Sequence, residues 1–196
     1  SQPLARLRVA GKTAVAEYKA PTGAFLIVAS TAPNFIQLAP AKFEGYLEHE
    51  NLQPIIEWRK KKGESAKSGR EFYSKHVKTI VHSTGPDEFV TRPVGEVIEF
   101  VPLADPATRK PGQSLPVQVL FRGAPAANLP VEASSSSNGA VKHRLVGRTD
   151  SAGRIEIPLE VAGLWKLHTI LMERRQATKQ AEWESFWASL TFEVTQ

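Results

Sequence analysis

Three stretches in the last part of the chain decide the fold: GQSLPVQVLFRGAPAANLPVEA at 112–133, TDSAGRIEIPLEVAGLW at 149–165 and WESFWASLTFEV at 183–194. Apolar and polar residues alternate along each of them, as in strands with one buried face. The segment TDSAG carries the Asp and Gly that favour a tight hairpin turn. Roughly seven such strands, with turns every ~8–12 residues, predict an immunoglobulin-like or prealbumin-like β-sandwich.

The first part of the chain predicts a different domain, β-rich and carrying two or three helices. Strand-like segments are expected at residues 4–9, 13–19, 24–30 and 35–38. The first has no turn before it, which indicates either a domain that is incomplete at its start or a strand at the edge of a small sheet. Helical spacing of apolar residues follows, after Pro40 and again over residues 54–62, where Gly63 is placed to end the second helix.

The segment between these helices and the sandwich allows two interpretations. Residues 70–84, REFYSKHVKTIVHST, fit one long strand, or a short helix followed by a strand from Val77 to Ser83. We favour the second. Residues 85–93 contain two prolines and an acidic pair, which indicates a boundary. The sequence thus predicts a mainly β protein with an N-terminal domain at 1–88 and a sandwich at 89–196, in which residues 134–139 form an exposed loop.

Composition excludes several classes of function. The chain of 196 residues has no cysteine, so it has no disulfide, thiolate metal site or cysteine nucleophile. The net charge of +5 is spread along the chain apart from Lys60–Lys62, which argues against nucleic acid as a partner. The longest apolar run, Ala24 to Ala29, is too short to span a membrane. No GxSxG nucleophile motif is present, and we expect no enzymatic activity.

Histidine is the obvious candidate for metal binding, although the five histidines form no HxxxH, HExxH or HxH pair. On a strand, His168 and the single methionine, Met172, would face the same side. Imidazole and thioether suit copper or nickel. The alternative is a surface histidine beside a methionine that covers an apolar edge. Our candidate metal ligands are His168, Met172, His49 and His76.

A charged cluster and an exposed tryptophan are the other candidate sites. Glu48, His49 and Glu50 could meet the charged residues of segment 70–78 across a helix–strand junction, either to bind an anion or to form ion pairs. Trp187 faces away from the inward row of the last strand. It either packs against the preceding domain, with Trp58 opposite, or serves as a platform for carbohydrate or a protein partner.

The order and spacing of further segments resemble a known family. They include FEGYL at 43–47, ENL at 50–52, REFYSK at 70–75, IEFVP at 98–102, GLW at 163–165 and WESFWA at 183–188. Over about residues 25–194 the chain resembles an uncharacterised bacterial exported family, formerly labelled a nickel-transport-complex subunit (NikM-like) and later reclassified as a domain of unknown function. The resemblance implies a periplasmic or extracellular, mostly β protein associated with nickel or cobalt uptake. The family has no established activity, so the resemblance assigns no catalytic residues to this chain.

These observations together predict a non-catalytic exported binding or accessory module linked to nickel or cobalt uptake. Its expected partners are a divalent metal ion or a transporter component. The alternative is a structural or adhesive β-sandwich that docks carbohydrate or protein through Trp187 and its surface loops.

Overall fold

The computed structural model describes residues 8–10, 13–15, 21–137, 139–175 and 180–196. These ranges form strands β1 Arg8–Ala10, β2 Thr13–Val15, β3 Ala24–Ser30, β4 Asn34–Leu38, β5 Gly69–His82, β6 Ile98–Pro102, β7 Ser114–Phe121, β8 Ala124–Pro125, β9 Pro130–Ser137, β10 Ala140–Arg148, β11 Arg154–Pro158, β12 Gly163–Arg174 and β13 Trp183–Val194, with helices α1 Pro40–His49 and α2 Gln53–Lys61. The mainly β fold is confirmed. Parts of the predicted strands at 4–9 and 13–19 lie outside the described residues.

Two sheets form the body of the protein. The larger has seven strands, of which five follow the order β10-β9-β12-β13-β5. The other two pair with the free edge of β5: β4 with residues 69–73 and β3 with residues 76–82. The smaller has the order β11-β7-β6, with β8 beside β7. β1 and β2 form a separate antiparallel pair. The immunoglobulin-like or prealbumin-like type stays a prediction, whereas two sheets that share one hydrophobic core are present.

The core between the sheets follows the alternation seen in the sequence. Phe186, Leu190 and Phe192 of β13 are buried in it, as are Phe100 of β6 and Val119 of β7. Because residues along a strand alternate between faces, the residues between them on β13 lie on the other face of the larger sheet. We call that other face the outer face.

Both helices pack on the outer face near one end of the sheet. Phe43 and Leu47 of α1 are fully buried in a second apolar cluster, which includes Met172 of β12 and Trp183 of β13. The ring of Trp58 on α2 meets that of Trp183 edge-on, with centroids 5.4 Å apart. Trp58 does pack against the last strand, but the predicted pairing of Trp58 with Trp187 is wrong, because its ring partner is Trp183 and Trp187 stacks on Tyr46 instead.

A buried arginine fixes the loop that follows α2. Arg59 is 1% exposed, and its guanidinium donates hydrogen bonds to Glu44 Oε1 at 2.6 Å and to the carbonyl oxygens of Glu64 and Lys67 at 2.7 and 2.8 Å. A buried charge is tolerated when it is paired and hydrogen-bonded in this way. The contacts hold α1, α2 and the chain entering β5 in one arrangement.

The short helix that we favoured at the start of segment 70–84 is wrong. Residues 69–82 form one strand, β5, which bonds to β13 on one side and to β3 and β4 on the other. Neighbours on both sides satisfy its backbone groups, and such long-range pairing overrides local helical spacing. The predicted loop at 134–139 is also wrong in part, because Ser134–Ser137 belong to β9; Asn138 lies outside the described residues.

Strands from both predicted domains share the larger sheet. β5 runs parallel to β13, in register from Glu71 opposite Trp183 to Thr79 opposite Thr191. A buried ion pair also links the two parts: Lys78 donates to Glu99 and, at 2.9 Å, to the carbonyl oxygen of Phe100. The boundary at residues 88 and 89 stays a prediction about independent folding. Neither helix in the described part of the chain is long and apolar enough to cross a membrane.

Candidate functional site

Two adjoining clefts lie on the outer face where the helices leave the larger sheet uncovered. Lys75 of β5 and Trp187 of β13 line both of them. We call the larger one, of about 330 Å³, the histidine cleft, and the smaller one, of about 250 Å³, the glutamate cleft. Their walls come from strands that are distant in the sequence and from α1, so only the folded chain forms them.

The histidine cleft gathers imidazole and carboxylate side chains from four elements. His49 and Glu50 come from the end of α1, Glu132 from β9, His143 from β10 and His168 from β12. Cross-strand register explains the convergence, because His168 lies opposite Glu132 and β10 is the next strand beyond β9. The cleft therefore holds three imidazoles and two carboxylates.

The contacts within this cleft centre on Glu50. Its Oε2 is 3.2 Å from His168 Nε2, and its Oε1 is 3.9 Å from His49 Nε2. The side chain of His49 is 81% exposed, whereas those of His168 and Glu50 are 20% and 11% exposed. Glu50 and His168 are thus held by the fold, while His49 is free to adopt other rotamers.

The other two side chains of the cleft, Glu132 and His143, contact other residues and not Glu50. Asn51 Nδ2 donates to Glu132 Oε1 at 2.9 Å, and His143 Nδ1 is 2.8 Å from the hydroxyl oxygen of Ser134. No group of three His, Asp or Glu side chains that could hold a metal ion occurs in the ranges that the structure describes. A metal bound here would require at least one of these side chains to turn.

The structure brings together two of the four predicted metal ligands. His168 and His49 meet at Glu50, as described. Met172 is 8% exposed and packs among the apolar residues beneath the helices. His76 lies on the opposite face of β5 from Lys75, where it contacts Glu96 Oε2 at 2.7 Å and the Ser74 hydroxyl at 3.1 Å. The metal assignment itself stays a prediction.

The glutamate cleft contains a buried carboxyl. Glu71 is 1% exposed, and its Oε1 accepts hydrogen bonds from Tyr46 OH at 3.2 Å and from the hydroxyl of Ser185. The indole N–H of Trp187 donates in turn to the Ser185 oxygen at 3.0 Å. Glu71 Oε2 is buried and has no hydrogen-bond partner among the described residues. One half of the carboxyl is satisfied and the other is not.

Burial dominates the electrostatics of this cleft. It raises the pKa of Glu71 to about 7, although the hydrogen bonds from Ser185 and Tyr46 act in the opposite direction. Burial and the nearby Glu71 carboxyl also raise the pKa of Tyr46 well above its ordinary value. The phenol therefore remains a hydrogen-bond donor at any physiological pH.

The ion pairs predicted between residues 48–50 and segment 70–78 are not found in the described part of the chain, where Glu50 contacts His168 instead. Glu71 and Lys75 do lie beside α1. Arg70, however, pairs with Glu182, to which its Nε donates at 2.8 Å. The sequence interpretation missed Glu132 and His143 as members of a site, because no local spacing links either of them to α1.

The fold and its clefts define a mainly β sandwich with two helices and a side-chain-lined surface on the outer face of its larger sheet. The chain belongs to the family described as Domain of unknown function (DUF4198), whose model matches residues 5–173. That match confirms the domain-of-unknown-function part of the resemblance, and the NikM-like label stays an expectation. A search of curated proteins gave no match, and neither did a search of solved structures.

Proposed function

We propose that the protein is a non-catalytic exported binding module that serves nickel or cobalt uptake and takes the divalent ion in the histidine cleft. The observation that carries the proposal is the gathering of three imidazoles and two carboxylates from α1, β9, β10 and β12. Imidazole nitrogen suits nickel and related first-row metals, and carboxylate oxygen commonly completes such sites. The resemblance to a family once labelled for nickel transport agrees with this ligand chemistry.

The His168–Glu50 contact supplies the fixed part of the proposed site. Rotation of the exposed His49 side chain would add a third ligand from the neighbouring residue of α1. Lys75 and Lys166 also line the cleft and oppose a bare cation, whereas Glu50 and Glu132 offset their charge. We therefore expect measurable but not extreme affinity.

Thermal melting of the whole chain with NiCl2, CoCl2 or CuCl2 tests the proposal. A ligand that binds only the folded state stabilises it by about 2.7 kcal/mol at a hundred times its Kd. For a chain of this size that raises Tm by several degrees. No rise in Tm with any of the three salts would contradict the proposal.

Calorimetric titration then locates the site. We expect His168→Ala and Glu50→Gln each to weaken metal affinity on the order of a hundredfold or more, because removal of a ligand should cost at least as much as the roughly 10–100-fold lost when only a group that supports a ligand is removed. His82→Gln is the matched control, because His82 lies outside the cleft, 3.0 Å from Asp105. Unchanged affinity in both cleft variants would mean that the ion binds elsewhere.

Trp187 gives the alternative function its specific support. It lines both clefts, which places an aromatic ring at the centre of the outer-face site. One side of that ring stacks on Tyr46, with centroids 6.0 Å apart and planes 1° from parallel. A structural or adhesive module would use the other side to dock carbohydrate or protein. Binding on a glycan array that Trp187→Ala abolishes, without any metal response, would favour this alternative.

A further inference from the structure

We infer that the glutamate cleft is a second binding site, for a small organic ligand with an apolar body and a primary ammonium group that pairs with Glu71. This site is independent of the proposed metal function, since it lies on the other side of Trp187 and shares no imidazole with the histidine cleft. The shape of the cleft, its apolar walls and the unsatisfied oxygen of Glu71 point to such a ligand.

The walls of the cleft are mostly apolar. Ile36 and Leu38 project from β4, the rings of Tyr46 and Trp187 stack on each other, and Tyr73 adds a third aromatic side chain. Ligand sites typically combine walls of this kind with a few polar groups that orient the ligand. At about 250 Å³ the cleft suits a molecule with few non-hydrogen atoms.

Glu71 supplies the orienting group. Its Oε1 is committed to Tyr46 and Ser185, whereas Oε2 is buried without a partner in the described part of the chain. An unsatisfied buried acceptor costs stability, and a charged donor brought by a ligand recovers that cost. Charge-assisted hydrogen bonds are the stronger kind, which favours an ammonium over a neutral donor.

Lys75 limits what else the cleft accepts. It is the other charged residue in the wall, but it is exposed, and its Nζ lies 5.5 Å from the centroid of the Trp187 ring. Its charge is therefore largely hydrated, whereas the carboxyl of Glu71 is shielded from water. A ligand with a carboxylate head would place like charges together at Glu71, which opposes binding.

Three compounds with the same apolar body separate the possibilities: isoamylamine, isoamyl alcohol and isovalerate. Titration calorimetry on the whole chain at pH 8 measures each in turn. We expect isoamylamine to bind most tightly, the alcohol more weakly and isovalerate not at all. Equal binding of all three would mean that the cleft binds apolar groups without selecting the head group. Tighter binding of isovalerate than of isoamylamine would mean that Lys75, and not Glu71, binds the head group. Either result overturns the inference.

Variants link the binding to the cleft. Glu71→Gln preserves the size of the side chain and removes its charge, so we expect isoamylamine affinity to fall on the order of tenfold or more. Ile36→Phe narrows the cleft and keeps Glu71 intact, which tests the site even if the first variant folds poorly. Glu156→Gln is the control, because it makes the same chemical change at an exposed residue of β11 that lines neither cleft. Unchanged affinity in both cleft variants would overturn the inference.

Discussion

The environment of Glu71 is made by residues that are distant from it in the sequence. Tyr46 lies 25 positions away and Ser185 lies 114 positions away, yet both donate to the same carboxyl oxygen. The sequence indicated charged residues near a helix–strand junction, and Glu71 was among them. Its burial depends on the packing of α1 over β5 and β13, which residue spacing does not encode.

The raised pKa of Glu71 predicts a specific pH dependence of stability. The folded carboxyl has a pKa of about 7, against about 4.5 for the ordinary group. Below pH 4.5 the carboxyl is protonated in both the folded and the unfolded state, so its raised pKa does not lower the unfolding free energy. As pH rises to 7 the unfolded chain releases the proton first, so the wild type loses about 3 kcal/mol of unfolding free energy across that window.

Glu71→Gln isolates this contribution, because the variant has no proton to release at position 71. We expect the variant to gain about 3 kcal/mol relative to the wild type between pH 4 and pH 8. Urea denaturation of both proteins across that range measures the difference. Unfolding free energies that stay parallel over the whole range would mean that the carboxyl titrates near its ordinary pKa.

At the scale of single elements, the sequence predicted correctly those elements whose ends are set by neighbouring residues. The predicted helix at 54–62 corresponds to α2 at 53–61, because Pro54 and Gly63 mark its ends within the chain itself. β5 was predicted only in part, because its partners β3, β4 and β13 lie before and after it in the sequence. Its first half contains residues compatible with a helix, and tertiary pairing decides the outcome.

Gly69 at the start of β5 marks a close approach that only glycine allows. A Cβ at this position would lie 2.2–2.4 Å from ring atoms of Phe43, which is fully buried in α1 and cannot move aside. We expect Gly69→Ala to lower the unfolding free energy by about 1–3 kcal/mol through overpacking. Chemical denaturation measures the change.

Gly45 provides the matched control for that substitution. It lies within α1, and a Cβ there would have no atom within 4 Å. Gly45→Ala should therefore raise stability by about 0.5–1 kcal/mol, since alanine favours a helix interior. A Gly69→Ala variant as stable as the wild type would show that helix α1 can shift away from β5.

At the scale of the whole molecule, the sequence indicated two units and the structure shows one shared sheet. The alternation in the last part of the chain identified the strands of the sandwich, since each pattern is local. It did not indicate that β5 would lie parallel to β13, a pairing between segments more than 100 residues apart. Both clefts depend on this pairing. The sequence could therefore indicate candidate metal ligands by residue type, but not which of them lie together in the folded protein.

The shared sheet predicts that the chain unfolds as one cooperative unit. β5 contributes Ile80 to the core between the sheets and pairs with β13 over nine residues, so separating the parts would expose an edge of β13 and open that core. We expect fragments 1–88 and 89–196 each to lack a cooperative unfolding transition, and the whole chain to show a single one by both tryptophan fluorescence and far-ultraviolet circular dichroism. A fragment 89–196 that unfolds cooperatively with the stability of the intact protein would instead support the two-domain division, with β5 added to a sandwich that is already complete.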